Sequence, residues 1–135
     1  MIESGNLFAG IPDTLADEQI TALLTTPNVR IERIVSRGYA SPPDFWYDQP
    51  QAEWVIVLAG SAAVAFEGEM APRTLKSGDH LHIPAHTKHR VVATDAGEPT
   101  VWLRIRRPLP FTAFCEFSAP FRVVVNPLQV FISPR

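Results

Sequence analysis

The sequence predicts an all-β protein, a single antiparallel sandwich or barrel of short strands. Six or seven runs rich in β-branched and aromatic residues occur between turn signals spaced 8–12 residues apart, the spacing of strands in such folds. Thirteen prolines interrupt the chain, which excludes long helices. At 135 residues and 46% hydrophobic, the chain is long and apolar enough for one domain with a real core, and too apolar to be disordered.

The elements follow in order. Residues 1–13 read as an irregular lead-in. Thr14 with Asp17 resembles a capping box, and Ile20, Leu23 and Leu24 recur at helical spacing before Pro27, so a short helix is expected over 15–24. Val29 to Arg37 alternates and reads as a strand, broken by Gly38, Ser41, Pro42 and Pro43. Phe45 to Gln49 reads as a short aromatic strand. Glu53 to Gly60 is nearly continuous apolar sequence, as in a strand buried on both faces. A return strand, Ala62 to Phe66, ends at the turn Glu67-Gly68-Glu69. Arg73 to Lys76 is a shorter candidate strand. After the turn Ser77-Gly78-Asp79 come a histidine-rich stretch, a strand over 88–94, a turn at 95–98 and a strand from Thr100 to Arg106. Beyond it, Phe121 to Val125 and Leu128 to Ile132 are candidate strands around Asn126-Pro127.

All four histidines, His80, His82, His86 and His89, fall within ten positions. Histidine is a common metal ligand and the usual proton-transfer group near neutral pH. Gly78, five residues, Pro84 and then His89 five positions on resemble the second motif of the cupin family, with His86 in place of its second glycine and Ala93 in place of its asparagine. Glu53 and Gly60 have the six-residue gap of that family's first motif. The motif's histidine pair is replaced by Trp46 and Asp48, or by Tyr47 and Gln49, depending on a gap of four or three residues.

This resemblance covers about residues 29–107 and implies a cupin-like antiparallel jelly-roll barrel. The short N-terminal helix would lie in a lead-in over 1–28, and residues 108–135 would form an apolar extension packed on the barrel or on a second subunit of a homodimer. Carried over residue by residue, Glu53 and His89 are candidate metal ligands, with His86 and either Asp48 or Gln49 completing the set. Two nitrogens with carboxylate oxygens suit one divalent ion, Fe, Mn, Ni or Zn. Trp46, Tyr47 and His82 are candidate pocket residues if they face inward, and His80 shares the strand face of His82. Arg104 and Arg106 share one face of the last strand, beside Arg107, and would bind an anionic substrate or pair with surface acids.

The remaining observations exclude function classes. Net charge is −2, with a pI near 6.0, so no basic surplus favours nucleic acid. The longest nearly apolar run, Trp54 to Phe66, has 13 residues, too few for a membrane helix. No phosphate-binding glycine loop suggests a nucleotide cofactor. The single cysteine, Cys115, allows no internal disulfide and reads as a small buried apolar side chain in a reducing compartment. With no basic, apolar leader, a cytoplasmic protein is expected. The functional reading is a metal-dependent dioxygenase, isomerase or lyase acting on a small organic molecule. The alternatives are a small-molecule sensor without turnover and an interaction domain on a former cupin scaffold.

Overall fold

The computed structural model describes residues 1–108 and the strands spanning 121–126 and 129–134. Among the described residues ten strands run in order: β1 Gln19–Thr25, β2 Arg30–Ser36, β3 Glu53–Ala59, β4 Ser61–Phe66, β5 Arg73–Lys76, β6 His80–Ile83, β7 His89–Thr94, β8 Thr100–Arg106, β9 Phe121–Asn126 and β10 Gln129–Pro134. Every pairing between them is antiparallel. One sheet has the order β1-β2-β8-β3-β6 and a second has β5-β4-β7, and β9 and β10 form a separate hairpin. Ile34, Val55, Val57, Leu81, Ile83 and Trp102 of the first sheet pack with Ala62, Val64 and Leu75 of the second in one core. The antiparallel jelly-roll reading of the sequence therefore holds.

The expected helix does not form, and no helix occurs among the described residues. Residues 19–25 instead pair with β2, placing Ile20 opposite Ile34, and a register shift lies between Ala22 and Leu24. That irregularity let Ile20, Leu23 and Leu24 imitate helical spacing. Leu23 and Leu24 are in fact exposed, so they form no buried helical stripe. Sheet pairing and burial of Ile20 prevail over local propensity. Residues 45–49 are likewise no full strand, because only Tyr47 bridges to His89. Among the described residues no helix is long and apolar enough to cross a membrane.

Register fixes what faces inward, because successive strand residues alternate between faces. Across the first sheet, Ile34 lies opposite Trp102, which lies opposite Val57. Two residues further along, Glu32 lies opposite Arg104 and Arg104 opposite Val55. Two further still, Arg30 lies opposite Arg106 and Arg106 opposite Glu53. The inward face thus grades from apolar to charged along the same strands. Gly60 makes the β3–β4 turn with φ +80°, and a Cβ there would stand 2.7 Å from Thr100 Cα. This close approach explains the glycine and carries the chain into the second sheet.

Candidate functional site

At the charged end of the barrel a cavity of about 60 Å³ is lined by Glu18, Tyr47, Gln49, Glu53, His89, Trp102 and Arg104 above an apolar floor that includes Ile34, Val55 and Val64. Glu53 opens β3 on its inward face and His89 opens β7 on the facing sheet. His89 Nε2 stands 3.3 Å from Glu53 Oε1. Its Nδ1 lies 2.8 Å from the Thr87 carbonyl oxygen. That oxygen only accepts, so Nδ1 carries a hydrogen and Nε2 is the nitrogen turned toward the carboxylate. Tyr47 stacks on the imidazole with ring centroids 5.6 Å apart, while its hydroxyl lies 3.3 Å from that of Tyr39. Burial pushes both phenols above their usual range. The histidine ring is therefore clamped by a backbone acceptor, a carboxylate and an aromatic face.

A buried charge cluster backs the cavity. Glu32 is fully buried and its carboxylate meets the guanidinium groups of Arg30, Arg104 and Arg106. Burial pulls its carboxyl upward, but the charges of Arg104, Arg106 and Arg30 outweigh it and hold the group below the usual range. Arg104 also stands 3.9 Å from Glu53 Oε2 through Nη1. For Glu53, burial again acts upward, yet the His89 hydrogen bond and the positive charge of Arg104 win, and the net shift is downward. The arginines read as substrate-binding or surface-paired thus include two, Arg104 and Arg106, that are partnered inside the barrel, while Arg107 is exposed.

Glu18 is the residue that sequence reasoning missed. It lies just before β1, and its Oε1 accepts a hydrogen bond of 3.0 Å from the buried Ser36 hydroxyl. It lines the same cavity as Glu53. Burial raises its carboxyl to about 7, and one hydroxyl is too weak a partner to reverse that. Two carboxyl groups on one cavity are thereby driven apart, the pattern of an acid–base assignment. The signal was present in the alternation Glu18, Ile20, Ala22, once those residues are read as a strand entry rather than a helix.

The other sequence candidates lie elsewhere. His86 and Asp48 pair with each other, Nδ1 to Oδ1 3.0 Å, and both lie outside the cavity lining, the histidine exposed and the aspartate half-buried. His86 adopts φ +57°, the left-handed conformation expected of the glycine it replaces, and its backbone N–H bonds the Gln49 carbonyl. That conformation directs its side chain to the rim. Trp46 is half-buried and outside the cavity lining, because Tyr47 and Gln49 take the inward positions of their segment. His80 and His82 lie on the outer face of β6, with His80 stacked on Trp54, since Leu81 and Ile83 fill the inner face.

These positions decide whether the residues fit the metal that the resemblance implies. Of the predicted ligands only Glu53, His89 and the Gln49 amide share the cavity, and Glu18 adds a carboxyl to its lining. Among the described residues no group of three His, Cys, Asp or Glu side chains could hold a metal ion. The Arg104 guanidinium beside Glu53 also opposes a second cation there. The predicted set of Glu53, His86, His89 and Asp48 therefore does not converge as a four-ligand divalent site. Untagged protein purified without chelator should carry well under one equivalent of Fe, Mn, Ni or Zn, and adding each ion should move Tm by less than about 1 °C. A site filled at 100 times its Kd would stabilise by about 2.7 kcal/mol and shift Tm by several degrees, which would restore the metal.

Comparisons with known proteins agree with the fold. A candidate mannose-6-phosphate isomerase from Ralstonia eutropha JMP134 is 53% identical, with 80% of this chain and 100% of that chain covered and a TM-score of 0.77. An RmlC-like cupin from Methanocaldococcus jannaschii is 20% identical over 84% of this chain and 97% of its own, with a TM-score of 0.59. KdgF from Halomonas sp. is 23% identical over 76% and 89%, with a TM-score of 0.58. These last two share the fold. Comparison with curated proteins gave no significant match. The cupin domain family profile matches residues 34–106, more than half of the chain, and the protein belongs to the cupin superfamily.

Proposed function

We propose that the chain is an enzyme of isomerase or lyase type that moves a proton on a small hydroxylated organic molecule held in the barrel cavity. The observation that carries this reading is the shared cavity of Glu18 and the Glu53–His89 pair. Glu18 takes a proton from a carbon next to a carbonyl, or returns it, and its position near neutrality suits both directions. His89 Nε2 exchanges its hydrogen bond with Glu53 for one to the oxygen where charge develops, while the Thr87 carbonyl holds the ring through Nδ1. In an isomerisation the proton returns to the neighbouring carbon. In an elimination it leaves as a group departs from that carbon. The name of the 53%-identical relative makes mannose 6-phosphate a first candidate substrate.

The test is deuterium incorporation, followed by NMR with the protein in D₂O, over mannose 6-phosphate and a series of small hydroxy- and oxo-compounds. Exchange at a carbon next to a carbonyl is the expected result. His89→Gln should lower its rate by about 10²–10⁴, the usual worth of positioned proton-transfer chemistry. Binding without exchange across the series would instead favour a sensor domain without turnover.

A further inference from the structure

Among the described residues, three side chains that line the cavity carry a buried polar atom without a hydrogen-bond partner: Gln49 Oε1, Glu53 Oε2 and Trp102 Nε1. Gln49 is 9% exposed, Glu53 6% and Trp102 4%, so bulk water does not satisfy them. Buried polar atoms are nearly always paired, and three such atoms around one cavity mark where a ligand's polar atoms belong. The two oxygens accept, and the indole N–H only donates. The complementary ligand therefore offers two donors and one acceptor. A pair of hydroxyls does so, because each donates one hydrogen and still accepts.

The charges around the cavity favour a neutral molecule. The Arg104 guanidinium already binds Glu32, and the His89 imidazole faces Glu53. Glu18 and Glu53 place two carboxyl groups on the lining, so an anion would enter against them, and a cation would enter against Arg104. Size narrows the choice again. At about 10–15 Å³ for each water-sized centre, the cavity encloses roughly four to six non-hydrogen atoms. Three carbons with three oxygens fill that space, and a whole hexose exceeds it.

We infer that the cavity takes the neutral three-carbon end of an open-chain sugar, with two hydroxyls donating to Gln49 Oε1 and Glu53 Oε2 and one of them accepting from the Trp102 indole N–H. This rests on the cavity being the reactive site and names the part of the substrate that enters it. The carbonyl oxygen is left for His89 Nε2. Any charged or bulky remainder, such as the phosphate of a sugar phosphate, stays outside the enclosed space. Dihydroxyacetone carries the two hydroxyls and the carbonyl on three carbons and has the required size.

Titration of ¹⁵N-labelled protein with dihydroxyacetone, hydroxyacetone and lactate tests this, read at the Trp102 indole N–H cross-peak. Trp46→Phe and Trp54→Phe, both outside the cavity lining, identify that peak by elimination if Trp102→Phe does not fold. Dihydroxyacetone should shift the peak and bind about three- to tenfold more tightly than hydroxyacetone, which lacks one hydroxyl. It should also bind more tightly than lactate, an anion of the same size. Gln49→Leu removes one acceptor and should erase the preference between the two ketones. Equal binding of the two ketones to the unmodified protein would overturn the two-hydroxyl assignment, and tighter binding of lactate would overturn the neutral one. No shift with any probe would mean that water alone fills the cavity and would overturn the inference. Deuterium exchange measured in parallel in D₂O separates this inference from the reaction. A preference for dihydroxyacetone without exchange sustains the site and removes the proton-transfer function. Exchange on another compound without that preference leaves the function and removes the site.

Discussion

Glu18→Gln should make the protein more stable and less active at once. Glu18 sits near 7 in the folded chain against an ordinary value of 4.5. Between those values the folded state holds a proton that the unfolded state has lost. Stability therefore falls as pH rises from about 4.5 to about 7 and stays low above that window. At about 1.36 kcal/mol for each pKa unit, the loss is roughly 3 kcal/mol. Glutamine keeps the shape and never ionises, so the variant should hold that stability at pH 8 and show no decline across the window. Urea unfolding of both proteins from pH 4.5 to 8 measures this directly. The same variant should lose about 10²–10⁴ in catalysed exchange, because the group that moves the proton is gone. A merely structural glutamate would show the stability change without the loss of rate. Parallel pH curves for the two proteins would show that Glu18 is solvated and plays neither part.

Glu32→Gln should be the most damaging conservative change in the described chain. Glu32 is completely buried and faces Arg30, Arg104 and Arg106 at once. Its removal leaves three guanidinium groups inside the barrel without the carboxylate they share. Breaking a buried pair on one side costs about 3–5 kcal/mol, and here several pairs break together. A fall in Tm of about 10–20 °C is expected for a domain of this size. A fall below about 3 °C would mean that water already reaches the cluster. At acid pH the unmodified protein should behave in the same direction. Glu32 and Glu53 are both held below the usual carboxylate range, so their stabilisation is present above about 4.5 and is lost as pH falls beneath it.

The sequence made the sheet architecture readable because strand periodicity is local. Glu53 to Gly60 and His89 with its upstream Gly78 and Pro84 carry both the register and the family motif, and both places are where the structure brings a carboxylate and an imidazole together. What stayed hidden depended on contacts between distant residues. Glu18 and Ser36 meet only because β1 pairs with β2, and a helical reading of 15–24 removed that pairing from view. Glu32 and Arg104 are 72 positions apart, so nothing local distinguishes their pair from surface charge. His86 and Asp48 looked like ligands by their places in the motifs, yet one left-handed backbone conformation turns the histidine to the rim. The expectations for Cys115 and for the packing of residues 108–135 concern segments that lie largely outside the described residues.

The gradation along β2, β3 and β8 gives this barrel two separate addresses for mutation. Val57, Ala62 and Leu75 hold the two sheets together away from the cavity, while the acids, the imidazole and the guanidinium groups meet at it. A lineage descended from this chain can exchange Gln49 or His89 and acquire a different chemistry while the apolar rungs go on closing the sheets. Drift among Val, Ile and Leu at those rungs would leave the reaction untouched. One scaffold can in this way diversify its reactions much faster than its shape.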